Sequence, residues 1–464
     1  MFETIKIKKG VDIPLAGHAK KERTEERAVA DFAVKPTDFI GVVPKLLVAE
    51  GDAVKAGSPL FYDKNNESAR FTAPVSGTVK AIVRGAKRAI QAVVVASDSK
   101  YESLPFEKGS AEDFTRQQII DTMVASGLWT MVRQRPFGTI ANVADTPKAI
   151  FVSCFDSAPL AADYDFALQG REAFFTSGVA LLAKLSGGKL HLSCRKGQKL
   201  AQGKFPQNVE VHFFEGPHPA GNVGTQIAAI DPINKGEVVW VMTPEAVSNL
   251  GRLFSTGEYR PERCIAFAGP KAANPRYYHT IMGASVESMC KEQQIDASTT
   301  RLISGNVLSG TKIATNGYLG AFDSLLSAIP EGDYYDFMGW IAPGFRKFSL
   351  QRTFCSAFTA FCGHRKSDSE DCEKDSRYNM DTNFHGGPRP LVLTGNFEKV
   401  FPFKIYPLQL IKAAVIGDID LMENLGIYEV EPEDFALCEF MDPSKTEIQT
   451  IIREALETIR KEAM

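Results

Sequence analysis

The stretch whose residue types most suggest chemistry is Gly216-Pro217-His218-Pro219-Ala220-Gly221-Asn222-Val223-Gly224-Thr225, which follows an apolar run at 209–214. Such a loop holds phosphate when backbone N–H groups converge on the anion at the start of a helix. This one lacks both the Gly-x-Gly-x-x-Gly fingerprint and the Lys-Ser/Thr ending of a Walker loop. Pro217 and Pro219 remove donors that a phosphate cradle needs. The loop reads as a structural turn. Asp156, Asp163 and Asp165 follow an expected strand, where α/β proteins often build sites, but carboxylates there commonly serve as caps and turn residues. No Ser-His-Asp or Cys-His grouping is legible, so no independent catalytic site is expected.

Metal chemistry is also not expected. The eight cysteines (154, 194, 264, 290, 355, 362, 372 and 438) contain no Cys-x-x-Cys pair, and Cys355, Cys362, His364 and Cys372 match no zinc or cluster spacing. Scattered thiols behave as small buried hydrophobes and fit a reducing compartment. Phe345, Phe348, Phe354, Phe358 and Phe361 have partial helical spacing. That pattern is read either as core packing or as an apolar face for docking a membrane partner.

The elements that must position these residues begin with a module around 40–96. Apolar runs at 42–48, 60–62, 71–73 and 78–83 are separated by turns at Glu50-Gly51-Asp52, Ala56-Gly57-Ser58 and Ser76-Gly77. Short strands at this spacing predict a small antiparallel barrel or sandwich. The pattern resembles the barrel-sandwich hybrid of biotinyl and lipoyl carriers. The hairpin tip, Asp63-Lys64-Asn65-Asn66-Glu67, lacks the carriers' Met-Lys-Met, so the module reads as a docking fold that carries nothing.

From 111 the period changes. A helix ending near Ser126-Gly127 is followed by strands alternating with helices, which predict a Rossmann-like α/β domain closing near Gly257. The expected organisation is α/β multidomain: a barrel-sandwich hybrid over 1–100, the Rossmann-like domain over 111–257, a β-grasp unit over 258–312 and a mainly helical region over 313–464. Ser444 and Glu447 read as a capping box, and Ile448, Ile451, Ile452, Leu456 and Ile459 as the apolar stripe of the final helix.

With 464 residues, 44% hydrophobic and 23% charged, the chain is an ordinary globular protein long enough for several domains. A net charge of −3 gives no reason to expect nucleic acid or an anionic membrane surface. The start of the sequence lacks a signal-peptide core, and no apolar run reaches the roughly 18 residues of a membrane span. Any work at a membrane would depend on another chain.

In order along the sequence, Lys9-Gly10-Val11-Asp12-Ile13-Pro14, Ser126-Gly127-Leu128-Trp129, Arg133-Gln134-Arg135-Pro136-Phe137, the 216–221 loop, Gly269-Pro270, Ser304-Gly305-Asn306-Val307-Leu308-Ser309-Gly310, Gly339-Trp340-Ile341-Ala342-Pro343-Gly344 and Glu433-Asp434-Phe435-Ala436-Leu437-Cys438 resemble one family. It is the A-subunit family of the Na+-translocating NADH:quinone reductase. The resemblance spans almost the whole length. That family is similar in turn to the C-subunit of the Rnf complex and to the flavin-binding subunit of respiratory complex I, with an SLBB-like β-grasp unit. Those relatives lay a Gly-rich loop against FMN, whereas bulky side chains occupy 128–137 here. They also ligate Fe–S clusters through grouped cysteines, whereas this chain keeps Cys438 and has Asp442-Pro443 where a Cys-Pro would stand.

The resemblance therefore implies a peripheral subunit without FMN or Fe–S cofactors on the cytoplasmic side of the bacterial inner membrane. It would assemble with the complex's membrane and peripheral subunits. NADH, flavins and Na+ would be handled by those partners. The family has been linked to ubiquinone binding, and Trp129, Arg133, Arg135 and Phe137, in the altered flavin loop, are the quinone-proximal candidates; they read equally well as filling of the emptied flavin site. A pure scaffold, a flavin-carrying protein of the Rnf C-subunit kind, and a carrier modified at Lys64 are the rival readings.

Overall fold

The computed structural model describes residues 4–24, 29–339, 341–345, 347–348, 354–355 and 378–462. Phe358, Phe361, Cys362, His364 and Cys372 lie outside these residues.

Residues 31–97 form two small antiparallel sheets. One carries the strands Asp31–Val34, Ile90–Ser97, Gly77–Arg84 and Ala53–Val54; the other carries Pro44–Leu46, Pro59–Asp63 and Asn66–Thr72. Phe61, Phe71, Val79, Val93 and Val95 fill the space between them. This is the barrel-sandwich hybrid. Gly77 is required at its turn: its φ is +154°, and a Cβ there would lie 1.9 Å from the Ala96 carbonyl oxygen. Lys64 sits exposed in the turn between Pro59–Asp63 and Asn66–Thr72.

The largest sheet has seven strands in the order Thr4–Lys6, Val209–Glu215, Lys189–Cys194, Ala149–Ser153, Val239–Val241, Arg133–Arg135 and Thr139–Ile140. The first five run parallel, and the hairpin at the far edge is antiparallel. Alternation sends Ile150, Val152, Leu190, Leu192 and Trp240 to one face, against the helices Arg116–Ser126, Glu172–Ala183 and Pro244–Thr256. Ala149, Phe151, Val239 and Val241 face the helix Val223–Ile230 on the other side. Helices on both faces make this the expected Rossmann-like layer. Gly127 and Gly257 end two of the helices in the left-handed conformation.

The remaining sheet is six-stranded, in the order Thr311–Lys312, Thr300–Ser304, Leu325–Pro330, Glu262–Ala268, Arg276–Ile281 and Lys20–Thr24. It reaches beyond the span read as β-grasp. Leu325–Pro330, placed by sequence in the helical region, is a central strand paired with both Thr300–Ser304 and Glu262–Ala268. Thr4–Lys6 and Lys20–Thr24, placed with the barrel, pair instead with Val209–Glu215 and Arg276–Ile281. These short segments have little local signal, and distant partners decide where they go.

The C-terminal helices, chiefly Pro407–Ile416, Ala436–Met441 and Ile448–Glu462, enclose their own apolar cluster. Ile448, Ile452, Leu456 and Ile459 are buried in it, and Ile451 is half-buried. The Ser444 capping box does not form. The Ser444 hydroxyl donates to the Pro390 carbonyl, while buried Asp442 accepts the N–H groups of Ser444 and Thr446. Phe348 packs on Tyr378 and Phe440, whereas Phe345 is exposed. Among the described residues no helix is long and apolar enough to cross a membrane.

Candidate functional site

In the seven-stranded sheet the chain leaves Ala149–Ser153 toward one edge and returns on its other side as Val239–Val241. Strand order therefore reverses between these two neighbours, and the connections at their carboxyl ends diverge. Such switch points open crevices where α/β proteins bind ligands. A cavity of about 370 Å³ lies here, with Ser153 and Val241 on its floor. Asn306 and Asp323 come from the six-stranded layer, and Glu433 and Arg453 from the C-terminal region.

Arg133 and Arg135 point into this region from the antiparallel hairpin, in register with Val241 and Val239. The two side chains differ in their partners. Arg135 is buried and meets Glu433 and, at 3.3 Å, Asp434. Arg133 lays its guanidinium over the Phe322 ring, 4.8 Å from the centroid, and makes no hydrogen bond among the described residues. This guanidinium stands in the cavity wall without a hydrogen-bond partner among the described residues, while its charge helps hold the Glu433 carboxyl ionised.

Trp129 and Phe137 do not line the cavity. Trp129 is fully buried, donates from Nε1 to the Ala141 carbonyl at 2.8 Å and stands edge-on to Trp240. It belongs to the core beneath the sheet. Phe137 occupies the turn of the hairpin with φ +84°, its ring edge-on to Tyr428 and its carbonyl accepting from Arg453. It fastens the hairpin to the C-terminal helices.

The 216–221 loop forms another wall through His218 and Gly221. His218 N–H donates to Asp12, Ala220 N–H to Pro217, Gly221 N–H to Ser157 and Asn222 N–H to Pro219. With Pro217 and Pro219 lacking an N–H, no backbone donor from 217 to 222 is left for phosphate. The His218 ring is bonded to the Ser157 hydroxyl at 3.0 Å, and burial pulls its pKa down to about 4, so it is neutral at pH 7.

Of the three aspartates, only Asp156 reaches the cavity, and burial raises its pKa. Asp163 caps the helix Tyr164–Ala167, and Asp165 accepts the N–H groups of Lys199 and Leu200. The carboxyl groups that matter most come from 431–434, which sequence reading left unassigned. A Cβ on Gly224 would lie 2.5 Å from Asp434 Oδ1, which places that carboxyl group over the first turn of Val223–Ile230. An incoming phosphate at this turn would meet the chain's own acid. Glu431 completes the wall, receiving Arg453 at 2.6 Å.

Three family descriptions match in order: the NqrA N-terminal barrel-sandwich hybrid domain over 5–98, the NqrA second alpha/beta domain over 114–259 and the NQRA C-terminal domain over 264–315. The Na(+)-translocating NADH-quinone reductase A-subunit of Pasteurella multocida is 38% identical over 462 residues, covering 99% of this chain and 100% of that protein. The chain belongs to the NqrA family, the A-subunits of Na+-translocating NADH-quinone reductases. The Rhodopirellula baltica member of the family is 37% identical over 463 residues, covering 98% of both chains. A solved NAD+-reducing [NiFe]-hydrogenase aligns with a TM-score of 0.36 at 12% identity, over 76% of this chain and 67% of that one.

Proposed function

We propose that this chain serves as the peripheral NqrA component of a Na+-translocating NADH:quinone reductase on the cytoplasmic side of the membrane, held there by partner subunits. In this reading it carries no flavin or Fe–S cluster, and its cavity receives a ubiquinone headgroup. The guanidinium of Arg133 carries the second part: it is a charged donor on an aromatic shelf, suited to a quinone carbonyl oxygen. Phe322, Met242 and Leu308 offer apolar surface to the ring.

The absence of cofactors is supported by the same geometry. Committed N–H groups and the acids at 431–434 disfavour an FMN phosphate. Cys438 is buried among apolar helices, and desolvation keeps its thiol protonated, unlike a cluster ligand. The test is titration of the purified chain with a short-chain ubiquinone, following Trp fluorescence with free tryptophan as the inner-filter control. Saturable quenching that weakens about tenfold or more in Arg133→Gln is expected, because a charged hydrogen bond contributes roughly 1.5–3 kcal/mol. Equal affinity in that variant would remove the Arg133 site. Absence of saturation would leave a scaffold protein.

A further inference from the structure

A second constellation lies in the middle of the same sheet, on residues that do not line the cavity. His191 is the third residue of Lys189–Cys194, and Glu210 and His212 are the second and fourth of Val209–Glu215. The parallel register sets His191 opposite Glu210 and Ser193 opposite His212. The three side chains therefore emerge on one face, which also carries Phe151 and the helix Val223–Ile230.

Three potential ligand atoms converge. His191 Nδ1 is 2.9 Å from His212 Nε2, and Glu210 Oε2 is 3.8 and 3.7 Å from those two nitrogens. Three points so separated lie on a circle of radius about 2.0 Å, the Zn–N and Zn–O bond length. Lifting an ion about half an ångström from that plane leaves each bond near 2.1 Å, within the zinc range. His212 and Glu210 are 22% and 39% exposed at the side chain, so water can supply a fourth ligand from the open side. Glu210 Oε1 is held by Lys189, which fixes the carboxylate while leaving Oε2 directed at the histidines. His191 is held in place by stacking on Phe151, with ring centroids 4.7 Å apart.

We propose that His191, Glu210 and His212 form a binding site for a borderline divalent transition metal, Zn2+ in the first instance, which clamps the strands Lys189–Cys194 and Val209–Glu215 together. Two imidazoles and one carboxylate are a ligand set suited to zinc, and oxygen-seeking Mg2+ and Ca2+ are poorly served by it. Because none of the three residues lines the cavity, the role of the site is structural or regulatory and separate from quinone binding. In the metal-free chain the imidazoles share one N–H···N hydrogen bond. Metal binding replaces it by a tautomer shift that leaves a lone pair on each facing nitrogen.

The experiment uses the untagged full chain, stripped of metal and titrated with Co2+ as a spectroscopic probe, then with Zn2+. The expected result is a four-coordinate Co2+ visible band saturating at one equivalent and displaced by Zn2+. Zn2+ should also raise the wild-type melting temperature. Both signals should be lost in His212→Ala and in Glu210→Gln, partly exposed positions, with the metal-free melting of each variant as the reference for its own Zn2+ shift. No band at one equivalent, or an undiminished band in both variants, would overturn the site and leave a simple imidazole pair.

Discussion

Arg135 and Asp434 stand 299 positions apart in the chain, and the guanidinium and carboxyl group meet at 3.3 Å in an almost fully buried environment. With Glu433 on the other arm of the guanidinium, this contact joins the edge hairpin of the seven-stranded sheet to the C-terminal helices. Truncating Arg135→Ala strands several carboxyl groups in a desolvated wall. The expected cost is about 3–5 kcal/mol in urea unfolding. Asp434→Asn should cost far less, about 1 kcal/mol, because burial and neighbouring Glu433 already raise this carboxyl's pKa against the pull of Arg135. Equal losses in the two variants would contradict this division.

Trp129 gives a second prediction, since it separates core from cavity. Trp129→Phe removes the Nε1 donor and leaves the buried Ala141 carbonyl without its partner, at a cost of about 1–3 kcal/mol. The quinone affinity read by titration should not change. A selective loss of affinity without loss of stability would move the headgroup away from Arg133.

The helices Glu172–Ala183 and Pro244–Thr256 touch backbone to backbone at Gly178 and Gly251. A Cβ on Gly251 would fall 1.8 Å from the Phe174 carbonyl oxygen, and one on Gly178 would fall 1.9 Å from that of Val247. Neither backbone atom can rotate away, so Gly251→Ala must separate the helices. Thermal and urea unfolding should show a loss of about 1–3 kcal/mol or more. An unchanged midpoint would mean that the helices are not so closely apposed.

Glu262 makes stability depend on acid. Burial alone would raise its carboxyl pKa, but His279, Arg252 and Arg171 around it bring the value down to about 2. A folded value below the unfolded one means that its contribution is complete above about pH 5 and lost as pH falls toward 2. Wild type should exceed Glu262→Gln by on the order of 2 kcal/mol at pH 7. Urea midpoints across pH 7 to 3 should show that gap narrowing on the acid side; a constant gap would assign the effect to packing.

Much of the architecture was legible because its signals are local. Gly51, Gly57 and Gly77 punctuate the barrel, and Gly127 and Gly257 stop helices in conformations that favour glycine. The prolines of the 216–221 loop showed that it makes a poor phosphate cradle. The acidic wall was not legible, because Arg135, Glu431, Glu433 and Asp434 meet only after the sheet and C-terminal helices pack. The same limit hid His191, Glu210 and His212, whose spacing matters only once two parallel strands are in register. Ser444 misled for the opposite reason: a plausible capping pattern gave way to buried Asp442.

The strands Thr4–Lys6 and Lys20–Thr24 find their places beside Val209–Glu215 and Arg276–Ile281. During synthesis this arm leaves the ribosome long before either docking strand exists. The barrel that follows it can close from local hairpins while the arm waits with unpaired edges. The arm can therefore be stitched down only after residues 209–215 and 276–281 have been made, so its place depends on sequence that follows it by roughly 200 positions or more.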